Sequence, residues 1–289
     1  MIRIGPSIRP KYFPAALSLP LLDTYTNAAA AYSVRKLRTL YTGNAIRVRR
    51  SSDNTEQDIG FDINGNLNES ALTTFVGAGN GFVTTWYDQS GNGRNVTQAT
   101  ATSQPQIIQS GSLITENSRA SIRFDGSNDF LFNTTKGFAV NNITHFAVST
   151  RDTTGAIQPI FSTGILSGSI GFGFYYTNTN LITQQTRDNV NVNSIGDYAN
   201  TQGNLNLISA VNTTTTINVY FNGVNNVNAN HTISGNSNGY MAFGTRFDST
   251  NGNLFALNGK VSEYIFWQNN LSANLDAIEI DVNNYYTIY

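Results

Sequence analysis

Short apolar runs alternate with polar, turn-forming segments over most of the chain, which is the pattern of β-strands bounded by loops. The segments that fit it best lie at residues 82–87, 120–124, 143–148, 170–176, 205–211, 217–221, 240–243 and 261–267. Asn222-Gly223 stands between two such runs and predicts a two-residue hairpin, because both turn positions need positive φ. Many short strands in 289 residues predict an all-β sandwich.

Three segments have helical rather than strand spacing. Residues 27–42 predict a short N-terminal helix, with a stripe of apolar residues and a glycine stop at Ala30, Val34, Leu37, Tyr41 and Gly43. Residues 68–76 predict a second helix, which the glycine-rich stretch 77–81 ends. A closing helix that covers a sheet edge is predicted after Ser272, with an apolar stripe at Leu275, Ile278, Val282 and Tyr285.

The domain organisation follows from the prolines. Four of the six prolines lie in residues 1–22, which predicts an extended arm without a core of its own. Residues 23–289 are then expected to form one sandwich domain, because no linker divides them.

Composition narrows the classes of function. Only 12% of residues are charged, whereas asparagine occurs 39 times and glycine 25 times, as in loop-rich β-proteins. Cysteine is absent, which excludes disulfides and thiolate metal sites. No run of about 20 apolar residues and no secretory signal is visible, so we expect no membrane partner and release by lysis.

Positive charge is concentrated at the N-terminus. Residues 1–50 contain nine Lys or Arg and one acid, whereas the rest contains eight and seventeen. One hypothesis is docking on an acidic protein partner through Arg3, Arg9, Lys11, Arg35, Lys36, Arg38, Arg47 and Arg49. The alternative is that this basic segment packs on the acidic remainder of the same chain, which neutralises its charge. Nucleic acid is not expected, because aromatic residues are not interleaved with these bases.

The segment Trp86-Tyr-Asp-Gln-Ser-Gly-Asn-Gly93 is a candidate carbohydrate site. Its aromatic rings can stack on sugars and its polar groups can bind hydroxyls, so the candidates are Trp86, Tyr87, Asp88, Gln89 and Asn92. The same residues also suit a strand end followed by a turn, and this architectural interpretation is favoured.

Asp125-Gly-Ser-Asn-Asp129 is a candidate calcium site. Asp125, Asn128 and Asp129 can offer three oxygen ligands, whereas calcium prefers six to eight. Asx-turn hydrogen bonding explains the same residues without a metal and is favoured. No other cofactor is expected.

Three motifs resemble the concanavalin and laminin-G-like superfamily. They are Ser121-Ile-Arg-Phe-Asp-Gly-Ser-Asn-Asp-Phe-Leu131, Ile217-Asn-Val-Tyr-Phe-Asn-Gly223 and Gly259-Lys-Val-Ser-Glu-Tyr-Ile-Phe266. The resemblance implies a jelly-roll sandwich over about residues 120–289.

A second set of motifs covers about residues 28–107. Ala31-Tyr-Ser-Val-Arg-Lys-Leu-Arg38, Ile46-Arg-Val-Arg-Arg-Ser-Ser-Asp53 and Trp86-Tyr-Asp-Gln-Ser-Gly-Asn-Gly93 are similar to the opening of the arabinofuranosidase B catalytic domain. They are also similar to a module of bacteriophage structural proteins. The segments at residues 58–61 and 75–83 resemble that module most.

The hydrolase resemblance implies a catalytic glutamate on a strand that reads His-Met-Glu-Ala-Ile-Tyr-Phe-Gly. The best match is Ser169-Ile-Gly-Phe-Gly-Phe-Tyr-Tyr176, which places Gly171 at the glutamate position. The family's adjacent cysteine pair is also missing. A carboxyl pair elsewhere would draw on Asp88, Asp125 or Glu263.

These departures lead to the expectation of a non-catalytic phage virion protein, a capsid decoration or a head or tail fibre. Its arm would attach to other virion proteins, and its sandwich, as a homo-oligomer, would bind host or environmental glycans weakly. Assembly would take place in the host cytoplasm. The alternatives are a divergent arabinofuranosidase-like glycoside hydrolase and a lectin-like adhesin domain of a bacterial surface assembly.

Overall fold

The computed structural model describes residues 19–164, 170–178, 181–187, 192–199, 202–230, 233–248 and 252–289. Its helices are α1 (Leu21–Thr24), α2 (Glu69–Val76) and α3 (Leu275–Tyr286), with 3₁₀ turns at Ala101–Ser103 and Ser272–Asn274. None of the helices in these ranges has the length and apolar content of a membrane-spanning segment.

The first eleven strands are short, with six residues or fewer each. They are β1 (Ala30–Ser33), β2 (Ile46–Arg50), β3 (Glu56–Ile59), β4 (Gly81–Trp86), β5 (Val96–Thr97), β6 (Gln106–Gln109), β7 (Ser112–Leu113), β8 (Thr115–Glu116), β9 (Arg119–Ala120), β10 (Ile122–Asp125) and β11 (Leu131–Asn133).

The remaining strands include the longest ones. They are β12 (Ile143–Arg151), β13 (Gln158–Thr163), β14 (Gly171–Tyr176), β15 (Leu181–Arg187), β16 (Val192–Ala199), β17 (Asn206–Asn212), β18 (Thr216–Phe221), β19 (Val224–Asn230), β20 (Met241–Phe243), β21 (Arg246–Asp248), β22 (Gly252–Leu254) and β23 (Asn258–Trp267).

Antiparallel pairing arranges these strands in two layers. The first runs β19-β18-β17-β12-β23, and β23 pairs on its other side with both β1 and β10. The second runs β16-β15-β14-β13-β20-β11-β5-β4-β2-β3. Strand β6 pairs with β4 and with β10 and so joins the layers. The predicted all-β sandwich of the concanavalin-like jelly-roll kind is confirmed.

Aromatic side chains fill the space between the layers. Phe161 of the second layer stacks on Tyr264 of the first with ring centroids 3.9 Å apart, and Phe174 stacks on His145 at 4.1 Å. Burial lowers the pKa of His145 to about 3, so its ring is neutral. His145 is therefore a core residue, and the second histidine, at position 231, lies outside the described residues.

Helix α3 closes a second core on the outer face of the first layer. Its buried residues Leu275, Ile278 and Val282 were predicted, but Tyr286 rather than Tyr285 is fully buried. Ile278, Val282 and Tyr286 share this core with strand residues that include Phe146, Leu207, Ile265 and Trp267. The helix thus covers a sheet face and not the expected edge.

The start of the described chain joins this second core. Leu21 and Leu22 are both buried there, and the main-chain N–H of Leu22 donates to the Leu37 carbonyl. Residues 1–18 lie outside the described residues, so the division into an arm at 1–22 and a domain at 23–289 stays a prediction.

The predicted helix at 27–42 is wrong. Ala30–Ser33 is strand β1, which pairs with β23 from Ala30 opposite Phe266 to Ser33 opposite Glu263. Tyr32 points into the core between the layers, whereas Ala31 belongs to the second core. A strand that is buried on both faces shows no alternation of polar and apolar residues, so periodicity cannot distinguish it from a helix.

Two local predictions are confirmed. Helix α2 begins after Asn68, whose side chain accepts a hydrogen bond from the Ala71 N–H, and ends at Gly77. Asn222 and Gly223 form the turn between β18 and β19 with φ of 48° and 76°. Asn68 satisfies a free N–H group at the helix start, and Asn222 and Gly223 adopt the positive φ that the turn needs. Both requirements are local, so the sequence alone reveals them.

Candidate active site

The indole of Trp86, the first residue of the candidate carbohydrate segment, is fully buried. It packs against Tyr32 and Phe243, with ring centroids 5.8 and 5.1 Å away. A sugar therefore cannot reach this indole, and the proposed stacking role for Trp86 is corrected to a role in the core.

The next polar residues of that segment hold the backbone together. Asp88 is buried, and it accepts hydrogen bonds from the main chain or hydroxyl of Ala31, Ser90 and Arg94. The buried amide of Gln89 bonds the main chain of Ser33, Arg35 and Leu37. These hydrogen bonds all go to neighbouring protein groups, which agrees with the architectural interpretation.

The other two candidates of the segment lie at the surface. The Tyr87 hydroxyl donates to Asp58 at 2.7 Å, and its ring is partly exposed. Asn92 is exposed and donates its amide to the carbonyls of Ala28 and Ala29 at 3.0 and 3.1 Å. Asn92 also lines a cavity of about 610 Å³.

The basic candidates divide into three groups. Arg3, Arg9 and Lys11 lie outside the described residues. Two others form internal ion pairs, Arg35 with Glu263 and Asp281 and Arg47 with Glu56 and Asp58.

Arg35 is buried, so its proposed role in docking is corrected to a structural one. Arg49 donates to Gln104 and Asn54, whereas Lys36 and Arg38 are partly exposed. For Arg35 and Arg47 the internal-neutralisation alternative therefore holds.

Gly171, at the position of the expected catalytic glutamate, is packed against backbone. It begins β14, and a Cβ added there would lie 1.8 Å from the carbonyl oxygen of Thr163. A Cβ at Gly173 would lie 2.2 Å from the carbonyl oxygen of Phe161. This strand has no room for a glutamate side chain in its present conformation, so any carboxyl pair must lie elsewhere.

We expect Gly171→Ala to destabilise the fold by about 2 kcal/mol or more, because the new methyl group would displace the paired strand. The control is Gly60→Ala, where the nearest atom is the end of the Asn44 side chain at 3.3 Å. Urea unfolding of the three proteins measures the difference. An equal stability of both variants would contradict this close packing.

The turn between β10 and β11 brings two aspartates, Asp125 and Asp129, together through a main-chain hydrogen bond. Asp129 Oδ2 accepts the main-chain N–H of Asp125 at 3.0 Å. Asp125 Oδ1 accepts the N–H groups of Ser127 and Asn128 at 2.8 and 3.2 Å. Each carboxyl group is thus oriented by main-chain donors through one oxygen, and the bonds are those of the expected Asx turn.

The two carboxyl groups differ in environment. Asp125 is exposed, whereas Asp129 is only 7% exposed. Burial, followed by the negative charge of Asp125, raises the pKa of Asp129 to about 7. A pair of neighbouring carboxyls with one raised pKa is the arrangement that acid catalysis at neutral pH requires.

The raised pKa of Asp129 has a measurable effect on stability. A carboxyl group whose pKa is higher in the folded than in the unfolded protein binds its proton more tightly in the folded state. This stabilises the folded state fully at pH values below the pKa of the unfolded protein, and the contribution is lost as pH rises through about 7. The free energy of unfolding should therefore fall between pH 5 and pH 8, and we expect this fall to be roughly 2 kcal/mol smaller in Asp129→Asn. Urea titrations at both pH values measure it; an unchanged fall would contradict the raised pKa.

Other carboxyl groups fit catalysis less well. Glu263 is fully buried and paired with Arg35. Glu116 and Asp152 both contact the Lys260 ammonium, at 2.8 and 2.9 Å, so a cation occupies the space between them. Sequence reasoning missed this cluster, because its members come from β8, β23 and the residue after β12.

In the described residues, no further acidic or histidine side chain joins Asp125, Asn128 and Asp129 as a ligand of the proposed calcium site. No group of three or more His, Cys, Asp or Glu side chains that could hold a metal ion occurs in the described parts of the chain. The sequence shows this pair as two aspartates four residues apart, but the burial of Asp129, which raises its pKa, is visible only in the structure.

Comparisons with known proteins point to one family. The family model for the catalytic domain of α-L-arabinofuranosidase B matches residues 23–258. The search of curated protein sequences found no match.

Three solved structures are similar over 91% of this chain and 64% of their own length. They are a GH54 α-L-arabinofuranosidase with a cyclic sulfate inhibitor (17% identity, TM-score 0.66), an arabinofuranosidase with arabinofuranosyl-α-1,2-xylobiose (18%, 0.62) and a Glu-to-Gln mutant with 4-nitrophenyl α-L-arabinofuranoside (16%, 0.67). At this identity they show a shared fold, and this chain spans about two thirds of their length.

The expectation of a non-catalytic virion protein is wrong. That expectation depended on the glycine at position 171 and set aside the resemblance of the N-terminal motifs to the hydrolase. The family match extends from those motifs through most of the sandwich. No comparison supports a capsid, fibre or other phage role. Because the match covers well over half of its 289 residues, the chain belongs to the family of α-L-arabinofuranosidase B catalytic domains.

Proposed function

We propose that this protein is a glycoside hydrolase that removes α-L-arabinofuranosyl groups from glycans. The observation that carries the proposal is the family match over residues 23–258. Because Gly171 cannot supply a carboxylate, we assign the reaction to the neighbouring pair of Asp125 and Asp129.

The two aspartates suit different roles. Asp129, with its pKa near 7, can carry the proton that the departing oxygen needs. Asp125 is exposed, and its Oδ2 accepts no hydrogen bond within the described part of the chain, which leaves that oxygen available for attack. Retaining glycosidases use such a pair, with carboxyl groups about 5 Å apart.

The reaction takes two steps. Asp129 protonates the glycosidic oxygen while Asp125 Oδ2 attacks the anomeric carbon, so the carbon–oxygen bond breaks and the alcohol leaves. A glycosyl ester on Asp125 remains. Asp129, now a carboxylate, takes a proton from water, and the resulting hydroxide attacks the same carbon, which releases arabinose and restores both side chains.

The test is hydrolysis of 4-nitrophenyl α-L-arabinofuranoside by the purified protein, followed by release of arabinose from arabinofuranosyl-α-1,2-xylobiose. We expect both compounds to be cleaved, and 4-nitrophenyl α-L-arabinopyranoside to resist. A doubly substituted protein, Asp125→Asn with Asp129→Asn, is the blank. Absence of release from both furanosides would refute the proposal.

A further inference from the structure

A second binding site lies at the end of the sandwich opposite to the two aspartates. The cavity of about 610 Å³ is lined by Leu22, Thr26, Asn27, Ala28, Ala29, Arg38, Ser90, Asn92, Arg94 and Gln268. Gln268 follows the last residue of β23, whereas Asp125 pairs with Asn258, the first. Ten residues of strand separate the two places by about 30 Å. We propose that this cavity binds the carboxylate of an acidic sugar residue, a uronate.

Two arginines supply the positive charge. Arg38 donates to the carbonyl of Ser90 at 2.9 Å, and Arg94 donates to the carbonyl of Ala29. Neither guanidinium has a carboxylate oxygen within 4.0 Å in the described ranges, in contrast to Arg35, Arg47 and Arg50. The lining residues include no acid. Asp88, the nearby buried acid, is hydrogen-bonded to main-chain N–H groups and a hydroxyl, so both guanidinium groups reach the cavity without a direct ion pair.

The charged groups are fixed in place before a ligand arrives. The Ala29 carbonyl accepts from both Arg94 and the Asn92 amide, so these two side chains lie side by side. Arg94 also lies over the Phe138 ring, 4.9 Å from its centroid. Each guanidinium has five N–H donors, and within the described part of the chain one of them donates a hydrogen bond in either case. The remaining donors can bind a carboxylate through two parallel bonds.

The neutral lining suits the hydroxyl groups of a sugar. Thr26, Asn27 and Gln268 are exposed at the rim and offer one hydroxyl and two amides. A volume of about 610 Å³ falls in the usual range for small-ligand sites of roughly 300–1,000 Å³. The choice of a sugar carboxylate over another anion rests on the proposed function, in which the protein binds a glycan.

The experiment is calorimetric titration with methyl β-D-glucuronide, and with methyl β-D-glucoside as the neutral counterpart. We expect saturable binding of the glucuronide alone, weakened about 10- to 100-fold by Arg38→Gln or Arg94→Gln, the usual effect of losing a charge-assisted hydrogen bond. Arg47→Gln, which removes an arginine already paired with acids, is the matched control and should leave affinity unchanged. Thermal unfolding establishes that each variant is folded.

Three results would overturn the inference: no saturable binding of the glucuronide, equal binding of the glucoside, or equal affinity for inorganic sulfate, which would indicate a general anion site. Unchanged affinity in both folded arginine variants would do the same. The titration is repeated with Asp129→Asn, in which hydrolysis should be lost and glucuronide binding kept. If the unsubstituted protein binds the glucuronide but hydrolyses no arabinofuranoside, only the hydrolase proposal is rejected.

Discussion

Asp129→Asn is expected to lower kcat for arabinofuranosides with poor leaving groups by about 10²- to 10⁴-fold, the usual contribution of a general acid. Asparagine has a similar shape but no proton to give. The loss should be smaller with 4-nitrophenyl α-L-arabinofuranoside, because 4-nitrophenolate leaves without protonation. Asp125→Asn should instead impair both substrates, since a nucleophile is needed whatever group departs.

The pH dependence provides an independent check. If Asp129 must be protonated, activity should fall as pH rises through about 7, the pKa to which burial and Asp125 raise it. Asp62→Asn is the control, because the Asp62 carboxylate, like that of Asp129, is held in a loop by main-chain N–H donors to one oxygen. Equal losses for Asp62→Asn and Asp129→Asn would show that the loop fold and not proton transfer is involved.

Arg35→Met is expected to lower the free energy of unfolding by about 3–5 kcal/mol, because it leaves the fully buried Glu263 without its cation. Arg35 Nε and Nη2 donate to the two oxygens of Glu263 at 2.8 and 3.0 Å. Burial alone would lower the pKa of Arg35, but the charge of Glu263 and its hydrogen bonds outweigh burial and raise it. Ser33 and Tyr286 complete the network with hydroxyl donors to Glu263 Oε2 at 2.6 and 3.2 Å.

Urea unfolding measures this loss, with Arg50→Met as the control. Arg50 pairs with Asp53 at the surface, where water screens the charges, so its removal should cost far less than that of Arg35. The double variant Arg35→Met with Glu263→Met should lose less than the two single changes together, because neither charge is then buried alone. A small loss for Arg35→Met would mean that water reaches Glu263.

The strand pattern and the turns could be predicted from the sequence because each depends on neighbouring residues. Asn222-Gly223 is an example, since both residues take the positive φ that the turn requires. Asn68 is another, because its side chain caps the helix that follows it. The family, too, was visible in the motifs at 31–38 and 86–93, although the function inferred from them was wrong.

The helix expected at 27–42 failed for a reason that lies elsewhere in the chain. Its apolar spacing was compatible with a helix until β23 paired with Ala30–Ser33 and buried both of their faces. Trp86 failed as a sugar ligand for the same kind of reason, since Tyr32 and Phe243 enclose it. Burial by distant segments outweighs local propensity in both cases.

By itself the sequence determined the fold class, the Asx turn of Asp125 and Asp129, the hairpin at Asn222-Gly223 and the excess of N-terminal charge, because these follow from composition and near neighbours. Only the tertiary structure decided which charges are neutralised, which aspartate is buried and which arginines share a cavity. Arg35 meets a carboxylate 228 residues away, whereas Arg38 meets none in the described ranges. Charge and pKa depend on desolvation and on partners distant in sequence, and folding alone brings these together.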